Sequence, residues 1–198
     1  MNGCCRRCGR DAYGLDGEYL CEDCRTYKPS FDRAASAVYF DGDAREMINA
    51  FKFRNHYWLR DDFVDMIEAA VNAHFHVAKI DVILPMPVTL YRRLDRGFNQ
   101  CAILAKSLAK RLKRKYVNNA LGRTGSPRRQ GGLDEKERRE NVIGTFVVNK
   151  PSVVKDHTVL LVDDIMTTGS TLSECAATVK RAGAERVWAI TLAHSIRT

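Results

Sequence analysis

The sequence predicts an α/β fold, a parallel β-sheet flanked by helices, preceded by a small cysteine module. Three observations predict it. Extended and helical patterns alternate from about residue 34 onward, the last three form a β-α-β unit, and four of seven cysteines stand in two Cys-x-x-Cys pairs near the N-terminus. With 198 residues, 45% of them hydrophobic, the chain is long enough for one ordinary domain and a small appendage.

The cysteine module is predicted to occupy residues 1–29, because Pro29 breaks the chain before a more apolar region that we assign to a second domain, 30–198. Two knuckles separated by twelve residues can place four thiolates around one structural Zn²⁺. A C-x3-C knuckle starting at Cys4 and a redox-active pair of disulfides are the alternatives. The predicted metal ligands are Cys5, Cys8, Cys21 and Cys24.

The elements of the second domain follow from hydrophobic periodicity. Strands are predicted at Ala34–Phe40, Ile80–Leu84, Thr145–Asn149, Thr158–Val162 and Val187–Ala193, and helices at Ala44–Phe53, Leu59–Phe75, Asn99–Lys115 and Ser170–Ala182. The strand at 158–162 is apolar almost throughout, which indicates a parallel strand covered on both faces. Ligands of such sheets bind at the carboxyl ends of the strands.

A candidate phosphate site follows that strand. Asp163 and Asp164 can accept hydrogen bonds from ribose hydroxyls or hold Mg²⁺ through water. After Ile165 and Met166, five residues offer backbone N–H groups and hydroxyls where a helix begins, which suits a phosphate: Thr167, Thr168, Gly169, Ser170 and Thr171. The alternative is a helix cap that binds no ligand.

A second candidate anion loop follows the strand at residues 80–84. Met86 and Val88 keep the backbone donors that the neighbouring prolines lack, and Arg92 and Arg96, with Arg93, can supply charge to a pyrophosphate. These arginines can equally form a solvated turn.

The charge and the hydropathy of the sequence limit the classes of partner and the location that we expect. The net charge is +8, and residues 91–140 contain 15 Lys/Arg against 5 Asp/Glu, which favours an anionic partner such as a polyphosphate or a nucleic acid. Tyr91, Phe98 and Tyr116 stand among these charges, as in proteins that bind single-stranded DNA, or belong to the core. Since no run approaches the length of a membrane span, we expect a cytoplasmic protein.

Two segments resemble known families. VLLVDDIMTTGSTL, residues 159–172, resembles the signature of type I phosphoribosyltransferases that binds 5-phosphoribosyl-1-pyrophosphate (PRPP). PMPVTLYRRLDRGFNQ, residues 85–100, and the block 130–146 resemble the ComF family of competence proteins, as does Phe51-Lys52-Phe53, although the role of Lys52 stays open. Thr167 stands where purine-salvage members commonly have aspartate, which disfavours 6-oxopurine salvage.

The resemblance implies a type I phosphoribosyltransferase fold with an N-terminal zinc finger, acting in natural transformation on incoming single-stranded DNA, with a DNA-uptake helicase as a possible class of partner. We predict catalytic roles for Asp163, Asp164, Arg92 and Arg96. The resemblance also implies a mobile loop at 122–141 that brings Arg128, Arg129 and Lys136 over the pyrophosphate, and an acceptor hood within 30–60. An enzyme using Mg²⁺ and PRPP, a non-catalytic DNA-binding module and a PRPP sensor remain the alternatives.

Overall fold

The computed structural model describes residues 3–12, 17–54, 56–89, 98–124 and 142–195. The N-terminal module contains three short strands, of which the first lies in the middle, antiparallel to the second and parallel to the third. A one-and-a-half-turn helix follows and contributes the last cysteine pair. These elements are β1 (Gly3–Cys5), β2 (Asp11–Ala12), β3 (Glu18–Tyr19) and α1 (Glu22–Tyr27).

The described part of the second domain contains a five-stranded parallel sheet and a two-stranded antiparallel hairpin. The strands are β4 (Arg33–Tyr39), β5 (Val82–Pro85), β6 (Lys115–Tyr116), β7 (Leu121–Arg123), β8 (Phe146–Val148), β9 (Thr158–Met166) and β10 (Arg186–His194). The sheet has the order β4-β10-β9-β5-β6, and β7 pairs with β8. Strand β9, whose first half is almost entirely apolar, thus lies at the centre, as its composition predicts.

Helices cover both faces of the sheet. They are α2 (Gly42–Phe53), α3 (Arg60–His74), α4 (Gln100–Arg111), α5 (Pro151–Val154) and α6 (Ser170–Arg181). Successive residues of β9 point to opposite faces. Leu160 and Val162 join a core with α3 and α4, whereas Val159 and Leu161 join a core with α6. The core on the α6 side also contains Cys5, Cys8, Cys21 and Cys24, so the cysteine module packs on that side of the sheet.

The predicted α/β fold is confirmed, and each predicted strand and helix occurs within a few residues of its expected bounds. The largest correction concerns β9, which continues four residues past Val162 because Asp163, Ile165 and Met166 still pair with β10. The helix expected to reach Lys115 ends at Arg111, and Lys113 takes a left-handed conformation with φ 53° before β6 begins. Of the helices described, each is too short or too polar to cross a bilayer.

The segment predicted as an acceptor hood, 30–60, consists of the edge strand β4, helix α2 and the start of the chain toward α3. Phe40 and Lys52, from this segment, line the ligand cavity described below. Its function as a hood stays a prediction.

Candidate functional site

A cavity of about 310 Å³ lies at the carboxyl ends of β5 and β9. It brings together residues from seven separate parts of the chain, including most of those predicted from sequence. Its lining is Phe40, Lys52, Met86, Pro87, Val88, Cys101, Arg123, Asp163, Asp164, Ile165, Met166, Thr167, Gly169, Ser170, Thr171, Leu172 and Ser195. The position agrees with the rule that ligands of parallel sheets bind at this edge.

The phosphate loop, defined as residues 167–171, turns from β9 into α6. Gly169 has φ 75°, a left-handed conformation that L side chains rarely adopt, and the first two residues of the twelve-residue helix that follows, Ser170 and Thr171, line the cavity. Thr168 faces away from it. Its hydroxyl oxygen accepts from the Ser170 N–H at 3.3 Å and lies 2.6 Å from Ser170 Oγ, and the residue lines a smaller neighbouring cavity. Thr168 therefore shapes the loop.

Asp163 is held by two donors. Cys101 Sγ donates to its Oδ1 at 3.2 Å, and the Asp164 N–H donates to the same oxygen at 2.9 Å. Burial, together with the charge of Asp164, raises the pKa of Asp163 to about 6, although both hydrogen bonds favour the charged form. Burial likewise raises the pKa of the Cys101 thiol, so Cys101 stays a protonated donor at neutral pH.

Asp164 has a different partner. Its Oδ2 lies 2.8 Å from Lys52 Nζ, and the Lys52 side chain is only 9% exposed. Lys52 comes from the last turn of α2, and the buried Gln100 donates its Nε2 to the Lys52 carbonyl at 3.4 Å. Sequence reasoning left the role of Lys52 open and did not select Cys101 or Arg123. The Phe-Lys-Phe motif was the signal for Lys52, but its partner is 112 positions away in the chain.

The second loop needs one correction. The Met86 N–H, predicted to be an anion donor, donates to Val162 O at 2.9 Å because the backbone pairing of β5 with β9 extends one residue further. Met86 lines the cavity with its side chain, and its carbonyl accepts from Asn99 Nδ2 at 3.1 Å. Val88 lines the cavity as predicted.

Seven residues singled out from the sequence lie outside the described residues: Tyr91, Arg92, Arg93, Arg96, Arg128, Arg129 and Lys136. Of the predicted mobile loop, 122–124 are described, and Arg123 lines the cavity with its guanidinium 5.0 Å from the centre of the Phe146 ring.

The four predicted metal ligands form one buried cluster. The Sγ atoms of Cys5, Cys8, Cys21 and Cys24 all lie within 4.8 Å of one another. Cys8 Sγ and Cys21 Sγ are 3.7 Å apart, close to the edge of about 3.8 Å that a tetrahedron with Zn–S bonds of about 2.3 Å requires. The Cys21 N–H also donates to Cys5 Sγ at 3.4 Å. Cys4 lies outside this group, so the cluster fits a four-thiolate metal centre with the predicted ligands.

The residues just after the cysteine module contact the phosphate loop and the helix that follows it. The Phe31 ring lies near Gly169, where an added Cβ would be 3.6 Å from it, and the Ser30 N–H donates to Ser173 Oγ in the first turn of α6 at 3.0 Å. Gly9, after the first knuckle, approaches β4 so closely that a Cβ would lie 2.8 Å from Ala34 O. The module thus supports the loop from behind.

Comparison with known proteins agrees with this geometry. Residues 98–197 match the phosphoribosyl transferase domain family, so this part of the chain is a phosphoribosyltransferase domain. Competence protein F of Haemophilus influenzae is 31% identical over 179 residues, which cover 86% of this chain and 77% of that protein. The chain belongs to the family of this competence protein, the ComF family.

Two further similarities are more limited in coverage or identity. The DNA utilization protein YhgH of Escherichia coli O157:H7 is 34% identical over 112 residues, 56% of this chain, and the match spans 48% of that protein's length. The crystal structure of an adenine phosphoribosyltransferase superposes with a TM-score of 0.46 at 14% identity, covering 73% of this chain and 74% of that one. The family assignment rests on the domain match at residues 98–197 and on the similarity to competence protein F.

Proposed function

We propose that this protein binds PRPP with Mg²⁺ in the cavity at the ends of β5 and β9, and that it acts as a phosphoribosyltransferase in the handling of incoming single-stranded DNA during natural transformation. The observation that carries the proposal is the meeting of two adjacent carboxylates and a helix N-terminus in one cavity of about 310 Å³. This volume lies at the lower end of the range of small-molecule sites.

The roles of the residues follow from their chemistry. In the proposal the 5′-phosphate lies against the N–H groups and hydroxyls of the phosphate loop, where the dipole of α6 favours an anion. The carboxylates of Asp163 and Asp164 accept hydrogen bonds from the ribose hydroxyls. Val88 offers its backbone N–H to the pyrophosphate, and Arg92, Arg96 and the cations of loop 122–141 supply positive charge to it. When bound, Mg²⁺ would neutralise pyrophosphate oxygens and be held by the same carboxylates through water.

The reaction we propose is displacement at the anomeric carbon of the ribose. The bond from that carbon to the pyrophosphate oxygen breaks, a bond to the acceptor forms, and the acceptor releases a proton. Positive charge develops on the sugar ring in the transition state, next to the Asp163 and Asp164 carboxylates, which stabilise it. Phe40 and Lys52, from the proposed hood, border the place where the acceptor would enter.

The rest of the proposal concerns metal, partners and location. The cysteine cluster is proposed to hold a structural Zn²⁺, which its sulfur spacing supports. The role in DNA uptake is supported by the names of the relatives, a competence protein and a DNA utilization protein. We further propose that the protein binds single-stranded DNA and that a DNA-uptake helicase is its partner. We also propose that it is located in the cytoplasm, where thiolates stay reduced.

The test is a calorimetric titration of PRPP with Mg²⁺ into the zinc-loaded protein, alongside a PRPP pyrophosphate-release assay. The double variant Asp163→Asn/Asp164→Asn is expected to lose saturable binding, because it removes both charges from the sugar site. The matched control is Asp61→Asn/Asp62→Asn, which changes two adjacent exposed carboxylates at the start of α3 and should bind as wild type does.

Equal binding by the wild type and the site variant would refute the site. Binding without pyrophosphate release across a panel of acceptor bases and amines would instead refute catalysis and assign the cavity to PRPP sensing.

A further inference from the structure

A second concave surface lies next to the cysteine cluster, with which it shares Cys24, and is separate from the cavity at the ends of β5 and β9. It encloses about 520 Å³ and combines five cationic side chains with Leu20, Cys24 and one carboxylate, that of Asp32. We call its cations the basic groove. They are Arg6, Arg7, Arg25, Lys28 and Arg33.

Among the described residues that line the basic groove, five are cationic and one, Asp32, is acidic. Asp32 accepts from Lys180 Nζ at 2.6 Å, so its charge is matched by a cation outside the groove. Arg7 Nη1 donates to Asp32 O at 3.2 Å and Arg25 Nη2 to Leu20 O at 3.1 Å, and these neutral carbonyls orient the two guanidiniums without cancelling their charge. Even a zinc–tetrathiolate centre, with two net negative charges, would balance fewer than half of the five cations.

One position in the groove is conformationally strained. Lys28 follows the end of α1 with φ 42°, a left-handed conformation in which glycine or asparagine is normally favoured. Because strained positions cluster at functional sites, the lysine at this position indicates a functional role for its positive charge.

An exposed aromatic residue stands one position before Lys28 of the groove. Tyr27, next to Lys28, is 51% exposed and also borders the surface formed by Thr168, Gly169 and Ser170 on the outside of the phosphate loop. Positive charge beside an accessible aromatic face is the combination with which proteins bind single strands, because unpaired bases can stack on the ring while the backbone follows the cations.

We infer that the basic groove binds the phosphodiester backbone of single-stranded DNA, with a base stacked on Tyr27. This inference deepens the proposed function and rests on its DNA-handling part. It places a nucleic-acid contact on the cysteine module, in addition to the one expected from the stretch 91–140, of which the structure describes 98–124. In that stretch the Tyr116 hydroxyl donates to Ala102 O at 3.2 Å, and Phe98 packs edge-on against Phe51 and Tyr57, so both rings have structural partners.

The experiment measures fluorescence anisotropy of a labelled single-stranded oligothymidylate at several salt concentrations. The double variant Arg25→Gln/Lys28→Gln is compared with Lys79→Gln/Lys150→Gln, which removes the same two charges from exposed positions elsewhere. Two lost phosphate contacts should weaken binding about tenfold or more and reduce the slope of log Kd against log salt by about 1.4. The control should change Kd less than about twofold. Zinc content and PRPP titration, measured on each variant, verify folding.

Equal weakening by the two double variants would overturn the inference, because binding would then follow net charge alone. Failure of the wild type to bind the oligonucleotide would also overturn it, while the PRPP titration would judge the cavity separately. Tyr27→Leu should weaken single-strand binding by about fivefold or more and leave duplex binding unchanged. If duplex and single strand bind equally well, with or without Tyr27, the assignment to single strands is wrong.

Discussion

The cysteine cluster and the ligand cavity are built in opposite ways. All four cysteine ligands come from residues 5–24, two pairs on two turns, so a short piece of chain is sufficient to specify the metal centre. The cavity draws on β4, α2, β5, α4, β7 and the turn from β9 into α6, and its two carboxylates are positioned by Lys52 and Cys101 from different helices. The local cysteine cluster would depend on its proposed metal, whereas the composite cavity depends on the packing of the whole domain.

The two regions nevertheless share a boundary. Phe31 and Ser30, just after the module, contact the phosphate loop and the first turn of α6. The comparison therefore predicts an asymmetric coupling, in which loss of the metal disturbs the phosphate loop and changes in the cavity leave the metal in place.

The largest effect is expected from Cys24→Ser. Removing one thiolate from a module with little core of its own should abolish stoichiometric zinc and lower the free energy of unfolding by more than about 4 kcal/mol. Amide hydrogen exchange at 167–173 should accelerate, because the support behind the loop is lost. Metal analysis measures the zinc content, and exchange mass spectrometry measures the amide exchange. Cys4→Ser is the control and should keep its zinc, and unchanged exchange in Cys24→Ser would show that the two regions are independent.

A smaller effect is expected from Lys52→Met. It leaves the Asp164 carboxylate without its ammonium partner in a largely buried position and should lower the free energy of unfolding by about 3 kcal/mol, while zinc content stays unchanged. In Lys52→Met/Asp164→Asn the loss should be about 2 kcal/mol smaller than the sum of the single losses, as urea unfolding of all four proteins can measure.

The exposed pair of Arg60 with Asp61 provides the control for this cycle. Arg60→Met should leave stability unchanged, because exposed ion pairs contribute little. Additive losses at Lys52 and Asp164 would contradict the role assigned to Lys52.

The smallest effect on stability is expected from Gly169→Ala. An alanine at φ 75° costs about 1 kcal/mol, although its Cβ would meet its neighbours at ordinary contact distance. Gly144→Ala is matched to it, since Gly144 has φ 69° and open space around it. Thermal unfolding should show similar losses for both variants, and calorimetry should show weaker PRPP binding only for Gly169→Ala. If both variants bound PRPP more weakly, the loss of binding would follow from reduced overall stability and not from the phosphate loop.

Much of the fold was predictable because its signals are short in range. The apolar run of β9 and the change from a strand pattern to a helix pattern at Gly169 are visible within about fifteen residues of sequence. The error at the end of β9 has a physical reason: Asp163 and Asp164 look like loop residues, but pairing with β10 keeps them extended. Met86 was misassigned for the same reason, because its N–H is used by a neighbouring strand.

The sequence by itself determined the α/β class, the cysteine ligands, the two carboxylates and the glycine turn, because spacing and periodicity act over a few residues. Tertiary structure alone decided that Lys52 neutralises Asp164, that Cys101 donates to Asp163, that the module lies against the phosphate loop and that its cations form a groove. These contacts join residues far apart in the chain, and their geometry exists only once the sheet and its two cores have brought the segments together.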